Sequence, residues 1–188
     1  IHGSHVAAKK TEGIIALEID AGRAFGTGEH ATTACCLLAL EKLHQQQHDS
    51  TNIADIGCGT GILALAAQRL WPESDCIGGD MDEPSVTTAI ENAEKNQLPQ
   101  VKFVTAEGMR HEAIKQAAPY QLIIANILAG PLVTLAPEMY AGLAKGGKMV
   151  LSGLLIRQEE EVLGAYKAQG LKCEERLHRD GWSALILG

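Results

Sequence analysis

The chain has 188 residues, 46% hydrophobic and 21% charged, a balance that predicts a folded globular unit and excludes a disordered one. Sixteen Lys and Arg against 23 Asp and Glu leave a formal charge of −7, and only 4% of residues are aromatic; neither a broad basic surface for duplexes nor a stacking platform for single strands is expected. Five cysteines without a CxxC pair predict reduced thiols in a cytoplasmic protein, and no apolar run approaches the roughly 20 residues that span a bilayer.

In chain order, residues 13–19 are a candidate strand and 31–43 a helix with Cys36, Leu37, Leu40 and Leu43 on one face. The Gln- and His-rich stretch 44–51 predicts a solvated connector. Apolar runs then alternate with helical stretches, the pattern of a parallel sheet covered on both faces. Strand 52–56 leads through Gly57-Cys58-Gly59-Thr60-Gly61 into helix 62–70. Strand 76–80 precedes helix 84–96, where Val86, Ile90 and Ala93 share a face. A strand at 101–105, a weak helix at 111–116 and an apolar strand at 122–125 follow. Helix 131–143 carries Leu132, Leu135, Met139 and Leu143 at helical spacing, and Pro137 predicts a kink or two short helices. Lys145-Gly146-Gly147 separates it from strand 148–152, which precedes a polar helix at 157–169. Runs 171–177 and 182–187 flank His178-Arg179-Asp180-Gly181, whose Asp-Gly pair predicts a closing antiparallel hairpin. No internal repeat or second domain is visible: residues 1–188 are expected to form one domain, with 1–16 as an extension or linker remnant.

The three glycines Gly57, Gly59 and Gly61 lie between a buried strand and a buried helix, where a ligand can touch backbone. The spacing is GxGxG, not the GxGxxG of a dinucleotide site. It suits a nucleoside with an amino-acid tail, such as S-adenosyl-L-methionine. Asp80 ends the next strand, where an acid can accept hydrogen bonds from both ribose hydroxyls. Asp82 is either solvated or a cap for the helix beginning near Pro84. Asn126 offers one amide at the tip of an apolar strand, or else caps the following helix. Structural roles are expected for four further features: His44 and His48 on a solvated face, Glu159-Glu160-Glu161 on an exposed helix side, Cys58 as a small packing residue and Trp182 within the last hairpin.

With these segments in order, the chain resembles the catalytic domain of the ribosomal protein L11 methyltransferase family. Phe25-Gly26-Thr27-Gly28-Glu29-His30-Ala31-Thr32-Thr33 matches the family's FGTGxHxTT signature, and Asp55 to Gly61 matches DxGCGSG with Thr60 for Ser. Gly79-Asp80-Met81-Asp82 matches GIDID, Ala125-Asn126-Ile127-Leu128-Ala129-Gly130-Pro131 matches ANILAGP, and Ser152-Gly153-Leu154-Leu155 with Gln158 matches SGIL…Q. Gly181-Trp182 falls at the family's EW hairpin.

The resemblance implies an α/β, Rossmann-like class I methyltransferase fold, with a mostly parallel seven-stranded sheet and a C-terminal antiparallel hairpin. It implies that Thr33, Gly57, Gly59, Asp80 and Asn126 line the S-adenosyl-L-methionine site, with Phe25 and Thr27 in a loop closing over it and Glu107 at the adenine edge. Asn126 is also the implied catalytic residue, orienting a substrate amine; His30 is expected to organise its loop. No metal is expected. The implied substrate is ribosomal protein L11 or a similar basic protein, methylated on lysine and N-terminal amino groups, with no direct nucleic-acid or membrane partner. The family's separate N-terminal recruiting domain is not in this sequence. That leaves open a methyltransferase acting on another protein or a small molecule, or a nucleotide-binding module without transferase activity.

Overall fold

The computed structural model describes residues 1–2, 14–20 and 30–188. Its strands are β1 (Asn52–Ile56), β2 (Asp75–Asp80), β3 (Lys102–Thr105), β4 (Tyr120–Asn126), β5 (Leu143–Leu155), β6 (Cys173–Arg179) and β7 (Trp182–Leu187). They form one sheet in the order β3-β2-β1-β4-β5-β7-β6. The first five are parallel, and β7 runs antiparallel to both β5 and β6.

Successive strand residues point to opposite faces, and each face carries its own core. Ile53, Leu122, Ile124, Val150 and Ile186 pack against helices α1 (Ala31–Gln45), α2 (Ile62–Leu70) and α3 (Glu83–Lys95). Ala54, Ile123, Ala125, Met149 and Leu151 pack against α4 (Glu112–Ala117), α5 (Ala129–Ala141) and α6 (Glu159–Lys167). The central strand β4 is almost wholly apolar because both its sides are covered, whereas the edge strands β3 and β6 carry Lys102 and Glu174, Glu175 and Arg176. The closing hairpin turns through Asp180 and Gly181 at φ 50° and 80°, the left-handed pair that a two-residue turn between twisted strands requires.

The structure corrects several expectations. Residues 14–20 form no strand; only an isolated bridge joins Glu18 to His2, and Gly13 lies outside the described residues. On α3 the buried stripe runs through Val86, Ala89, Asn92 and Ala93, so Ile90 points outward. Helix α5 is uninterrupted at Pro137, which sits on its exposed side, where water can replace the missing N–H. Gly146 and Gly147 interrupt no strand. They sit within β5, in an insertion between Leu143, opposite Tyr120, and Lys148, opposite Leu122.

The 44–51 connector is mostly exposed, as expected, but it is anchored around His48 and Ser50. The Trp71 indole N–H donates to the His48 carbonyl at 3.0 Å, the His48 ring bonds the Gln121 carbonyl at 3.1 Å, and Ser50 is buried. Glu159 is also buried rather than on an exposed helix side, paired with Arg176 at 2.7 Å and with His178 at 2.5 Å. Burial opposes its ionisation, but hydrogen bonds and the neighbouring positive charges outweigh burial and hold its carboxyl below the usual range.

Candidate active site

Beginning at β1, the sheet is built outward in two directions, through β2 to β3 and through β4 to β5. A crevice must open where the chain parts, at the carboxyl ends of β1 and β4. A cavity of about 870 Å³ lies there, lined by the glycine turn, Asp80, Asn126 and the start of α1.

The near wall is the turn between β1 and α2. Gly57, Gly59 and Gly61 have φ of +75°, +53° and +79°, a left-handed backbone that side chains disfavour. The N–H groups of Gly57 and Cys58 both donate to the Gly79 carbonyl, at 2.7 and 3.1 Å. A Cβ on Gly61 would lie 2.8 Å from Phe103 and 3.0 Å from Ala89, so this glycine lets α2 close onto α3. A Cβ on Gly57 would overlap the Ile127 methyl; local packing already demands glycine there, apart from any ligand.

Asp80 stands at the tip of β2. Its Oδ2 accepts the Gly59 N–H at 2.9 Å and its Oδ1 accepts the Asp82 N–H at 3.0 Å. Two backbone donors thus fix the carboxylate, and each oxygen keeps a further lone pair for a ligand. Asp82 is the N-cap of α3, its Oδ2 accepting from the Ser85 N–H and hydroxyl at 3.0 and 2.7 Å, which settles its role as a helix cap.

The far wall is built on Asn126. It does not cap α5, whose N-cap is Leu128. Its Nδ2 points at the Thr33 hydroxyl, 3.5 Å away, while its Oδ1 is buried with no hydrogen-bond partner. Thr33 is itself buried at the start of α1. A buried amide oxygen without a donor is costly, and this one belongs to a residue lining the cavity. The adjoining Ile127 is wedged between Gly57 and Gly153, since a Cβ at Gly153 would overlap the Ile127 backbone.

His30 caps α1: its Nδ1 lies 3.4 Å from the Thr32 N and 2.8 Å from the Thr32 hydroxyl. Its ring meets Trp182 edge-on at 5.0 Å. Glu107 is at the rim, mostly exposed and paired with Arg110 at 3.3 Å.

Beneath the turn, Asp55 is fully buried. Burial pushes its carboxyl up to about 7; the Ala64 N–H at 3.0 Å opposes that rise, and the Asp80 charge adds to it. The Cys58 thiol is likewise raised by burial and then by the charges of Asp55 and Asp80, so it packs as an inert side chain.

Of the residues singled out from the sequence, Thr33, Gly57, Gly59, Asp80, Glu107 and Asn126 line this one cavity. Phe25 and Thr27 lie outside the described residues. Trp182, Ile127, Gly153 and Arg110 also line it; the first three fall within the family signatures but carry no expected site role, and Arg110 has no signal in the sequence. Trp182 gave only a hairpin signal, and Ile127 differs from a core residue only in following Asn126. Among the described residues no cluster of His, Cys, Asp and Glu fits a metal ion, and no helix is long and apolar enough to cross a membrane.

Comparison with known proteins places this geometry. The family model for "Ribosomal protein L11 methyltransferase (PrmA)" matches residues 1–188. A ribosomal protein L11 methyltransferase from Brucella suis is 47% identical over the whole chain, and one from Caulobacter sp. is 43% identical. The chain spans 65% and 64% of their respective lengths. A crystal structure of ribosomal protein L11 methylase from Lactobacillus delbrueckii subsp. bulgaricus superposes with a TM-score of 0.76 at 26% identity, covering 86% of this chain and 80% of that one. A precorrin-6y C5,15-methyltransferase from Geobacter metallireducens shares the fold, with a TM-score of 0.70 at 15% identity, covering 86% of this chain and 90% of that one. With glycine turn, strand-tip acid and strand-tip amide gathered on one cavity, and with sequence relatives along its entire length, the chain belongs to the ribosomal protein L11 methyltransferase family.

Proposed function

We propose that this chain is an S-adenosyl-L-methionine-dependent protein N-methyltransferase whose substrate is ribosomal protein L11, modified on lysine or N-terminal amino groups. The observation that carries the reading is the pairing, across one cavity, of a rigidly held acid at Asp80 with a buried, unpartnered acceptor at Asn126.

The residues fit the cofactor. Asp80 has lone pairs free for ribose hydroxyls, the left-handed turn brings backbone rather than side chain to the cavity, and Thr33 is placed to help hold the methionine carboxylate. When bound, the cofactor supplies an electrophilic methyl group on a sulfonium. The chain's own part is alignment and exclusion of water. Asn126 Oδ1 accepts one N–H of the incoming amine, so that the nitrogen lone pair faces away from the amide. Entry into the crevice strips water from a lysine ammonium and lowers its pKa from about 10.4, which favours the neutral nucleophile. The proton leaves to solvent before transfer, and the methylated ammonium formed loses another afterwards. His30, whose Nδ1 faces Thr32, organises the start of α1 and Trp182. Phe25 and Thr27 belong to the same reading through the family signature.

The formal charge of −7 favours a basic protein partner over nucleic acid, and the reduced thiols fit the cytoplasm. The test is calorimetry with S-adenosylhomocysteine against NAD, followed by methyl-label transfer to purified L11. Binding of the former alone is expected, with Asp80→Ala weakening it roughly 5- to 100-fold through loss of charged hydrogen bonds. Absence of binding rejects the methyl-donor reading. Binding with no label on L11 moves the substrate elsewhere.

A further inference from the structure

Residues 17–20 are fastened to the molecule by a substitute for a strand. Leu17 and Ile19 are buried in the core under α1, α2 and α3, while the backbones of Glu18 and Asp20 face α3. Asn96 Oδ1 accepts the Glu18 N–H at 2.9 Å and its Nδ2 donates to the Glu18 carbonyl at 2.7 Å. One helical turn earlier, Asn92 repeats the pattern on Asp20, accepting its N–H and donating to its carbonyl, both at 3.0 Å. Four residues of helix rise about 6 Å, and two residues of extended chain advance about 6.8 Å. Asparagines at this spacing can therefore pair alternate residues of the segment. On its opposite edge, His2 donates to the Leu17 carbonyl at 3.0 Å and accepts the Ile19 N–H at 2.9 Å.

The two asparagines differ in their second amide hydrogen. That of Asn96 goes to the Asn92 carbonyl at 2.7 Å, within α3. That of Asn92 goes to the Thr60 carbonyl at 3.0 Å, inside the glycine turn. Asn92 is fully buried at a position where an apolar residue would escape the desolvation cost, and its side chain spans two segments far apart in sequence. We propose that Asn92 is a positioning residue that couples residues 17–20 to the glycine turn: docking of the segment favours the turn's binding conformation, and a ligand on the turn favours docking. By linkage the two effects must be equal. This inference rests on the proposed methyl-donor site.

Amide hydrogen exchange on the ligand-free chain tests the coupling directly. Asn92→Ala is expected to speed exchange at both Asp20 and Gly61, and Asn96→Ala at Glu18 with Gly61 unchanged. In calorimetry, Asn92→Ala should weaken S-adenosylhomocysteine binding about 10-fold, the scale of one buried hydrogen bond, and Asn96→Ala should stay within about 2-fold. Saturating ligand should also slow exchange at Asp20 in the unaltered chain, a response that a merely structural asparagine does not give. Unchanged Gly61 exchange in Asn92→Ala, equal affinities of the two variants, or an Asp20 amide indifferent to ligand would overturn the coupling. Should Asn92→Ala not fold, the unaltered chain's ligand-dependent exchange decides alone. If the unaltered chain binds no S-adenosylhomocysteine, the methyl-donor reading falls, and the ligand-free exchange still judges the coupling.

Discussion

Replacing Asp55 with asparagine isolates the energetics beneath the glycine turn. Asp55 is fully buried; its Oδ2 accepts the Ala64 N–H at 3.0 Å, and its Oδ1 has no partner. Burial, opposed by that hydrogen bond and reinforced by Asp80, pushes the carboxyl from 3.8 up to about 7. The folded chain therefore holds a proton there that the unfolded chain releases near pH 4. Between about pH 4 and 7 the folded state binds the extra proton, so this group's contribution to stability falls as pH rises, levelling off above 7. Three pH units at 1.36 kcal/mol each set an upper scale of about 4 kcal/mol. An asparagine side chain keeps an oxygen for the Ala64 N–H and carries no charge at any pH. Urea unfolding of both proteins from pH 4 to 8 is therefore expected to show the Asp55→Asn variant gaining on the unaltered chain by roughly 2–4 kcal/mol across that window. Carboxylates that do not act on Asp55 cancel in the difference; Asp80, whose charge raises it, contributes to the same window. A constant difference at all pH values would show that Asp55 ionises normally and refute the reasoning.

Gly57→Ala must place a side chain at φ +75° against the Ile127 methyl, and should cost about 2–4 kcal/mol in urea unfolding. Asn126→Asp is expected to lower kcat at least 10-fold while lowering KM for the amine substrate, because a carboxylate stabilises the ammonium form; steady-state kinetics with labelled cofactor measures both. Since the Glu159 carboxyl is held below its usual range, its ionised form stabilises the fold above that range and ceases to as pH falls through it. Glu159→Gln should accordingly unfold more easily than the unaltered chain at pH 7, with the gap closing toward pH 3 in thermal melts.

The sheet was legible because its signals are local. Helix 62–70 and strand 52–56 appear in the structure with the expected bounds, since a short, largely apolar run, three close glycines and a second apolar run read as strand, turn and helix. The closing hairpin was legible for the same reason, through Asp180-Gly181. What stayed hidden depends on contacts between distant residues. Ile90 and Ala89 cannot be ranked by periodicity alone; the buried stripe on α3 includes the polar Asn92, which bonds residues far away in sequence, Asp20 and Thr60. The anchoring of His48 within the exposed connector depends on Trp71 and Gln121, and the burial of Glu159 on Arg176 and His178 from β6. Within the cavity, the acid, amide and glycines could be picked out by the GxGxG spacing, by their place at the carboxyl ends of parallel strands and by the family signatures that contain them. Trp182 and Ile127 could not, because aromatic and branched residues at such places are ordinary.

The sheet face under α1 and α2 carries two buried acceptors on neighbouring strands. Asp55 lies opposite Ile124, two residues before Asn126, so both point to that face. Their chemistry differs in the way the proposed reaction requires. The acid lies below the turn, bonded to a backbone donor and driven toward its neutral form. At the cavity the acceptor is an amide, which binds an amine N–H without adding negative charge. A carboxylate there would raise the pKa of a lysine and keep its lone pair protonated, whereas an amide leaves desolvation free to lower it. The Asn126 nitrogen is turned toward the Thr33 hydroxyl, 3.5 Å away, and in this orientation the amide oxygen is left for a donor on the ligand. In the proposed reaction, selectivity for a neutral amine would thus rest on an uncharged acceptor, and Asn126→Asp tests that by the loss of kcat expected above.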